Sequence, residues 1–217
     1  MSMQVRKAMY VDTQLLVFAH AHARRGCNAP DHAVFKKGRQ FEECLGICRE
    51  KDVRVFTSWF TFLELQNGYV GCGKRKYWVV DLGLPIAVAF GGKEDRRELD
   101  KKGAIPSAVM DVLRAEINEW LDQWPFREVV QFDFPRAPLW SELARIIMRY
   151  VEVSPSDCLH LSAAMALECD FFMTEDSGLR RVLDRLRKDA DFLQEVSDMN
   201  MPGIPRVTRL RSFQSVV

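Results

Sequence analysis

No apolar run in this chain is long enough to span a bilayer. The best candidate, Trp78 to Phe90, is broken by Asp81, Gly83 and Pro85. Met1 to Lys7 carries charge and leads directly into a strand-like stretch, without the layout of a signal peptide. The six cysteines, Cys27, Cys44, Cys48, Cys72, Cys158 and Cys169, form no CxxC pair, which argues against a zinc ribbon or a thioredoxin-type site. An excess of charge is missing too. Thirty-one Lys and Arg against 30 Asp and Glu leave +1, so a polyanion would have to be held by local patches or by metal. There is no internal repeat and no low-complexity segment. What is present is globular in composition, 47% hydrophobic and 28% charged, which excludes a disordered or collagen-like chain. At 217 residues the chain is about 1.4 typical domain lengths, which predicts one domain with an addition. Cys44 and Cys48 lie four apart on one face of a predicted helix and read as core residues. The cysteines as a whole are expected to be reduced thiols in a cytoplasmic protein with no membrane partner.

Strands and helices alternate along the chain. Ala8 to Val11 is a short apolar run ending in Asp12-Thr13, as buried parallel strands do. Helices are predicted over Leu15–Arg25 and Val34–Lys51, a strand over Val53–Phe56, and a helix over Trp59–Tyr69 with Thr57-Ser58 as its cap. Gly71 to Pro106 holds six glycines and a mixed-charge run from Lys93 to Lys102, and reads as an exposed insertion. A helix from Ala108 to Trp124, a strand over Val129–Phe134 and a helix over Leu139–Tyr150 follow. Another helix opens at Pro155-Ser156-Asp157 and runs to Cys169. Then come a strand over Phe171–Thr174, a basic helix over Gly178–Lys188 and a short strand over Val207–Leu210. This alternation predicts a three-layer α/β/α sandwich around a mostly parallel sheet.

Four acidic residues sit where acidic residues are awkward. Asp12 ends the first strand, Glu64 lies inside the apolar helix Trp59-Phe60-Thr61-Phe62-Leu63-Glu64-Leu65, Asp157 is in the first turn of another apolar helix, and Asp176 follows the strand Phe171–Thr174. In an open α/β sheet the C-terminal strand ends and adjoining helix starts form the ligand crevice. Converging carboxylates repel one another and resist burial. A divalent cation removes that penalty. Mg²⁺ or Mn²⁺ takes oxygen ligands and, with bound water, suits in-line attack on a phosphodiester. Each acid also has an ordinary reading: Asp12 as a surface residue at a strand end, Asp157 and Asp176 as helix-start residues, Glu64 as a solvated position.

The segments Tyr10-Val11-Asp12-Thr13, Phe62-Leu63-Glu64-Leu65, Ser154 to Ala164 and Phe172-Met173-Thr174-Glu175-Asp176 together resemble the PIN-domain family of metal-dependent ribonucleases, which includes VapC-like toxins. The last two segments are the most specific part. The resemblance covers roughly residues 6–70 and 127–190 and leaves out the insertion at about 71–106, where the family's compactness is departed from. It implies a single PIN-like domain over 1–217, with Asp12, Glu64, Asp157 and Asp176 binding Mg²⁺ or Mn²⁺ and hydrolysing RNA. It also admits an antitoxin protein as partner, and a homodimer is compatible with it.

Among supporting residues, Thr13 and Thr174 are placed to hydrogen-bond ligand carboxylates or bound water, or to serve as ordinary turn and cap residues. His160, one turn after Asp157, reads as a satisfied helix histidine and not as a metal ligand. Asp170 reads as a loop residue, and Glu175 is expected to face away from Asp176. Arg180, Arg181, Arg185, Arg187 and Lys188 form either a solvated helix face or a rim that tracks phosphates; Lys74-Arg75-Lys76 beside Tyr77 and Trp78 is a second basic candidate. A haloacid-dehalogenase-type phosphohydrolase also places Asp after its first strand. Its chemistry needs a second Asp two residues on, where this chain has Gln14. A PIN-like module that binds RNA or protein without cutting is the remaining alternative.

Overall fold

The computed structural model describes residues 7–25, 33–65, 115, 117–133, 137–201 and 203–215. The chain runs β1 (Ala8–Val11), α1 (Thr13–Arg25), α2 (Ala33–Glu50), β2 (Arg54–Ser58), then the helical residues 59–65 (α3) and 117–123 (α4). β3 (Val130–Asp133), α5 (Ala137–Tyr150), α6 (Pro155–Ala166), β4 (Phe171–Met173), α7 (Ser177–Leu186), α8 (Ala190–Asp198), β5 (Arg206–Thr208) and a 3-10 helix (Leu210–Ser215) complete it. The expected insertion at 71–106, with its Lys74-to-Trp78 patch, lies outside the described residues.

The strands form one sheet in the order β3-β2-β1-β4-β5, and every pairing is parallel. The α/β/α sandwich is therefore as predicted, and the sheet is parallel throughout among the described residues. All four residues of β1 are buried, because parallel strands joined by helical crossovers are covered on both faces. Successive side chains feed opposite layers. Met9, Val11, Val55, Phe171 and Met173 pack with α1, α2, α4 and the 3-10 helix. Ala8, Tyr10, Phe56 and Phe172 pack with α5 to α8.

On one side α1 and α2 meet at Gly38. A Cβ there would lie 2.2 Å from the Phe18 carbonyl oxygen, so glycine permits the crossing. On the other side Cys158 Sγ reaches the Ala144 carbonyl at 3.3 Å, joining α6 to α5.

Two elements differ from expectation. α8 and the 3-10 helix were not predicted. Asp189 caps α8 by accepting from Phe192 N at 3.0 Å, and Phe192 and Val196, four apart, are its buried residues. Asp170 lies in the loop before β4, as expected, and there its Oδ2 also accepts from Ala8 N at 2.7 Å, tying the start of β1 to that of β4.

From β1 the chain steps outward through β2 to β3, then returns to the other side of β1 for β4 and β5. The direction of winding reverses between β1 and β4. Diverging connections leave a crevice at such a switch point, at the C-terminal ends of the strands.

Candidate functional site

Asp12 is the first residue after β1 and only 7% exposed. Its backbone N–H donates to the Met173 carbonyl at 3.2 Å, and its Oδ2 accepts from Thr174 Oγ1 at 2.7 Å. The two strand ends that border the crevice are thus tied together through Asp12. Burial raises the pKa of Asp12. The Asp157 and Glu64 carboxylates push it the same way, while the His160 charge and the Thr174 hydrogen bond offset part of the rise.

Glu64, in α3, is held at both carboxylate oxygens. Oε2 accepts from Thr13 Oγ1 at 2.7 Å and from His160 Nε2 at 2.5 Å; Oε1 accepts from Ser156 Oγ. Its side chain is 24% exposed and that of His160 only 1%. Burial works against the charge on Glu64, but hydrogen bonds and the imidazolium outweigh it and lower its pKa to about 2. Burial likewise opposes charge on His160. The Tyr10 phenol oxygen, the Glu64 hydrogen bond and the Asp12 charge overcome it and raise its pKa to about 10. The pair is an imidazolium and a carboxylate. The second imidazole nitrogen, Nδ1, then donates to Tyr10 OH at 2.9 Å, and Tyr10 OH donates to Ser58 Oγ at 2.9 Å. A buried polar chain therefore runs from Ser58 through Tyr10 and His160 to Glu64.

Asp157 lies in the first turn of α6, where Ser154 is the cap and Pro155 opens the helix. Its N–H donates to Ser154 Oγ at 3.1 Å, and its carboxylate, half-buried, has no hydrogen-bond partner among the described residues. Asp176 is exposed and caps α7, its Oδ1 accepting from Gly178 N at 2.5 Å and Leu179 N at 3.1 Å. Thr174 Oγ1 links it to the crevice by accepting from Asp176 N at 3.0 Å.

Asp12 thus feels the charges of both Glu64 and Asp157, whereas the Asp176 carboxylate is committed to its own helix. Among the described residues no group of three or more His, Cys, Asp or Glu side chains is set to hold a metal ion. A closed four-carboxylate cage does not fit this arrangement. A hard cation that keeps most of its waters and takes one or two carboxylates fits Asp12 and Asp157, because Thr174 engages only one oxygen of Asp12 and Asp157 is unengaged.

Thr13 and Thr174 bond site carboxylates, as their positions suggested. His160 is a satisfied histidine, although its partner is Glu64 and not Asp157. Glu175 turns away from Asp176 to pair with Lys37 at 3.2 Å and to accept from Leu210 N at 3.3 Å. Tyr10, Ser58 and Ser156 were not anticipated. Only Ser156 carried a signal, standing four residues before His160 and so on the same face of α6. Comparison with known protein families, curated proteins and solved structures finds no match to this chain.

Proposed function

We propose that this chain is a Mg²⁺- or Mn²⁺-dependent endoribonuclease, with Asp12, Glu64, Asp157 and Asp176 as the acidic residues of its site. The observation that carries the reading is the burial of Asp12 at the switch point of a parallel sheet, beside two further carboxylates. The His160 charge offsets part of this repulsion but is already paired with Glu64, and the pKa of Asp12 stays raised, so a further positive charge received there would relieve the rest. Asp12 and Asp157 would hold the ion. When bound, a divalent cation supplies an acidified water and neutralises charge on the phosphate. Thr174 fixes the Asp12 carboxylate, and His160, Thr13 and Ser156 together fix that of Glu64. Asp176 orders the start of α7 at the edge of the crevice. The toxin of a toxin–antitoxin pair and a processing nuclease are two versions of this function.

A second reading, a PIN-like module that binds RNA or protein without cutting, is favoured by the Glu64–His160 pair, which gives one acid its counter-charge from within the protein. A metal-titrated RNA cleavage assay separates the two. The nuclease should cut RNA with Mg²⁺ or Mn²⁺ and stop in excess EDTA. Full cleavage in EDTA would refute the metal requirement, and a folded protein that binds RNA but never cuts it would establish the second reading.

A further inference from the structure

Beside the acidic crevice, on the same edge of the sheet, lies an open cleft of about 460 Å³ between α7 and the end of β5. Arg180, Arg181, Arg209, Ser177 and Ser212 line it, with Asp184 as its one acidic residue. Its position follows from strand register. Val11 pairs with Met173, and Met173 with Thr208, so Asp12, Thr174 and Arg209 are the residues that follow three neighbouring strands. Two strand spacings, about 10 Å, separate the backbones of Asp12 and Arg209.

The arginines are set up for a ligand. Arg180 Nε donates to the Asp176 carbonyl at 3.1 Å and Arg181 Nε to the Ser177 carbonyl at 3.3 Å. Each guanidinium is oriented by the backbone through one nitrogen, and its two terminal nitrogens make no bond to another described residue. None of the three arginines forms an ion pair among the described residues, although Asp184 stands in the same cleft. Folding gains little from crowding three unpaired guanidiniums together. A planar fork of donors matches phosphate oxygens two at a time.

We infer that this cleft is a phosphate subsite for single-stranded RNA, holding a backbone phosphate next to the one presented at Asp12. The inference rests on the ribonuclease reading and adds to it the path of the substrate: the strand leaves the acidic crevice over β4 and passes between α7 and Arg209. Contact through phosphates alone carries no sequence preference, so the cleft contributes affinity and register and not choice of base.

The test is the affinity of a fluorescein-labelled oligouridylate, measured by anisotropy in EDTA across a salt series. The double variant Arg180→Gln/Arg209→Gln is compared with Arg185→Gln/Arg187→Gln, which removes the same charge from exposed positions outside the cleft. Thermal melts confirm that both variants are folded. The cleft variant should bind roughly 10-fold more weakly and lose about 1.4 from the slope of log affinity against log salt, while the control should change little. Unchanged binding in the cleft variant, or equal loss in both, would overturn the subsite. No cleavage enters this measurement. A wild-type protein that never cuts RNA would therefore refute the ribonuclease reading while leaving the cleft result to stand or fall separately.

Discussion

At the scale of single residues the site depends on a positive charge kept inside the protein. His160 is buried, yet Tyr10, Glu64 and Asp12 raise its pKa to about 10, above the ordinary 6.5. A raised histidine contributes stability that is complete below pH 6.5 and is lost as the pH climbs towards 10. Glu64 works from the other side. Its pKa, lowered to about 2 from 4.5, contributes stability above pH 4.5 that is lost as the pH falls towards 2. Asp12, whose pKa is raised above 3.8, makes the folded state easier to protonate, so its contribution is present in acid and fades as the pH rises through its folded value. The urea midpoint of the wild type should therefore fall between pH 6.5 and 10, and His160→Gln should flatten that fall. The same variant strands the Glu64 charge. A fully buried partner would cost more, but Glu64 is partly exposed, so a loss of about 2 kcal/mol at pH 6 is expected. Equal pH profiles for the two proteins would mean that His160 is neutral. Tyr10→Phe removes the link between His160 and Ser58 and should cost about 1.5 kcal/mol by denaturant titration.

Among the elements, the contact between α1 and α2 turns on one missing side chain. A Cβ at Gly38 would meet the Phe18 carbonyl oxygen at 2.2 Å and His22 Cβ at 2.6 Å, and the first of these is backbone that cannot swing aside. Gly38→Ala should thus lower stability by about 2 kcal/mol although alanine is the better helix former. A gain in melting temperature would show that the helices do not pack this closely. The two helices themselves were legible in the chain, since Phe41, Leu45 and Cys48 recur at helical spacing and all are buried. So were the strands, whose apolar runs Ala8–Val11 and Phe171–Met173 are buried throughout. α8 was not, because Leu193 is exposed beside the buried Phe192 and blurs the apolar period. Its cap was the better signal: Asp189 stands three residues before Phe192, whose N–H it accepts.

For the molecule as a whole, winding outward on both sides of β1 creates the crevice, and the side chains at the strand ends decide what it receives. The placement of Asp12 and Thr174 at the crevice was readable because polar groups directly after apolar strands must lie at that edge. The partner of Glu64 was not readable, since His160 is 96 residues away and spacing along the chain does not say which carboxylate an imidazole will meet. Asp176 carried two meanings that the same tripeptide, Thr174-Glu175-Asp176, serves equally: helix cap and site acid. The interior layers also protect the thiols. Cys44, Cys48, Cys158 and Cys169 are free and buried, and burial pushes the first three up to about 12, 12 and 11. Maleimide labelling followed by peptide mapping should leave these four unmodified until the protein is unfolded; rapid labelling of any of them in the folded state would contradict the packing. Among the described residues no helix is long and apolar enough to cross a membrane. The central claim, that the crevice is built to receive a divalent cation at Asp12, is tested most directly by melting temperature with and without Mn²⁺ for the wild type and Asp12→Asn. Burial and the neighbouring carboxylates cost the Asp12 charge more than His160 and Thr174 return, so without metal the uncharged asparagine should match the wild type or exceed it by about 1 kcal/mol. Mn²⁺ should then raise the melting temperature of the wild type and leave that of Asp12→Asn unmoved. An equal rise in both proteins, or none in the wild type, would contradict the account.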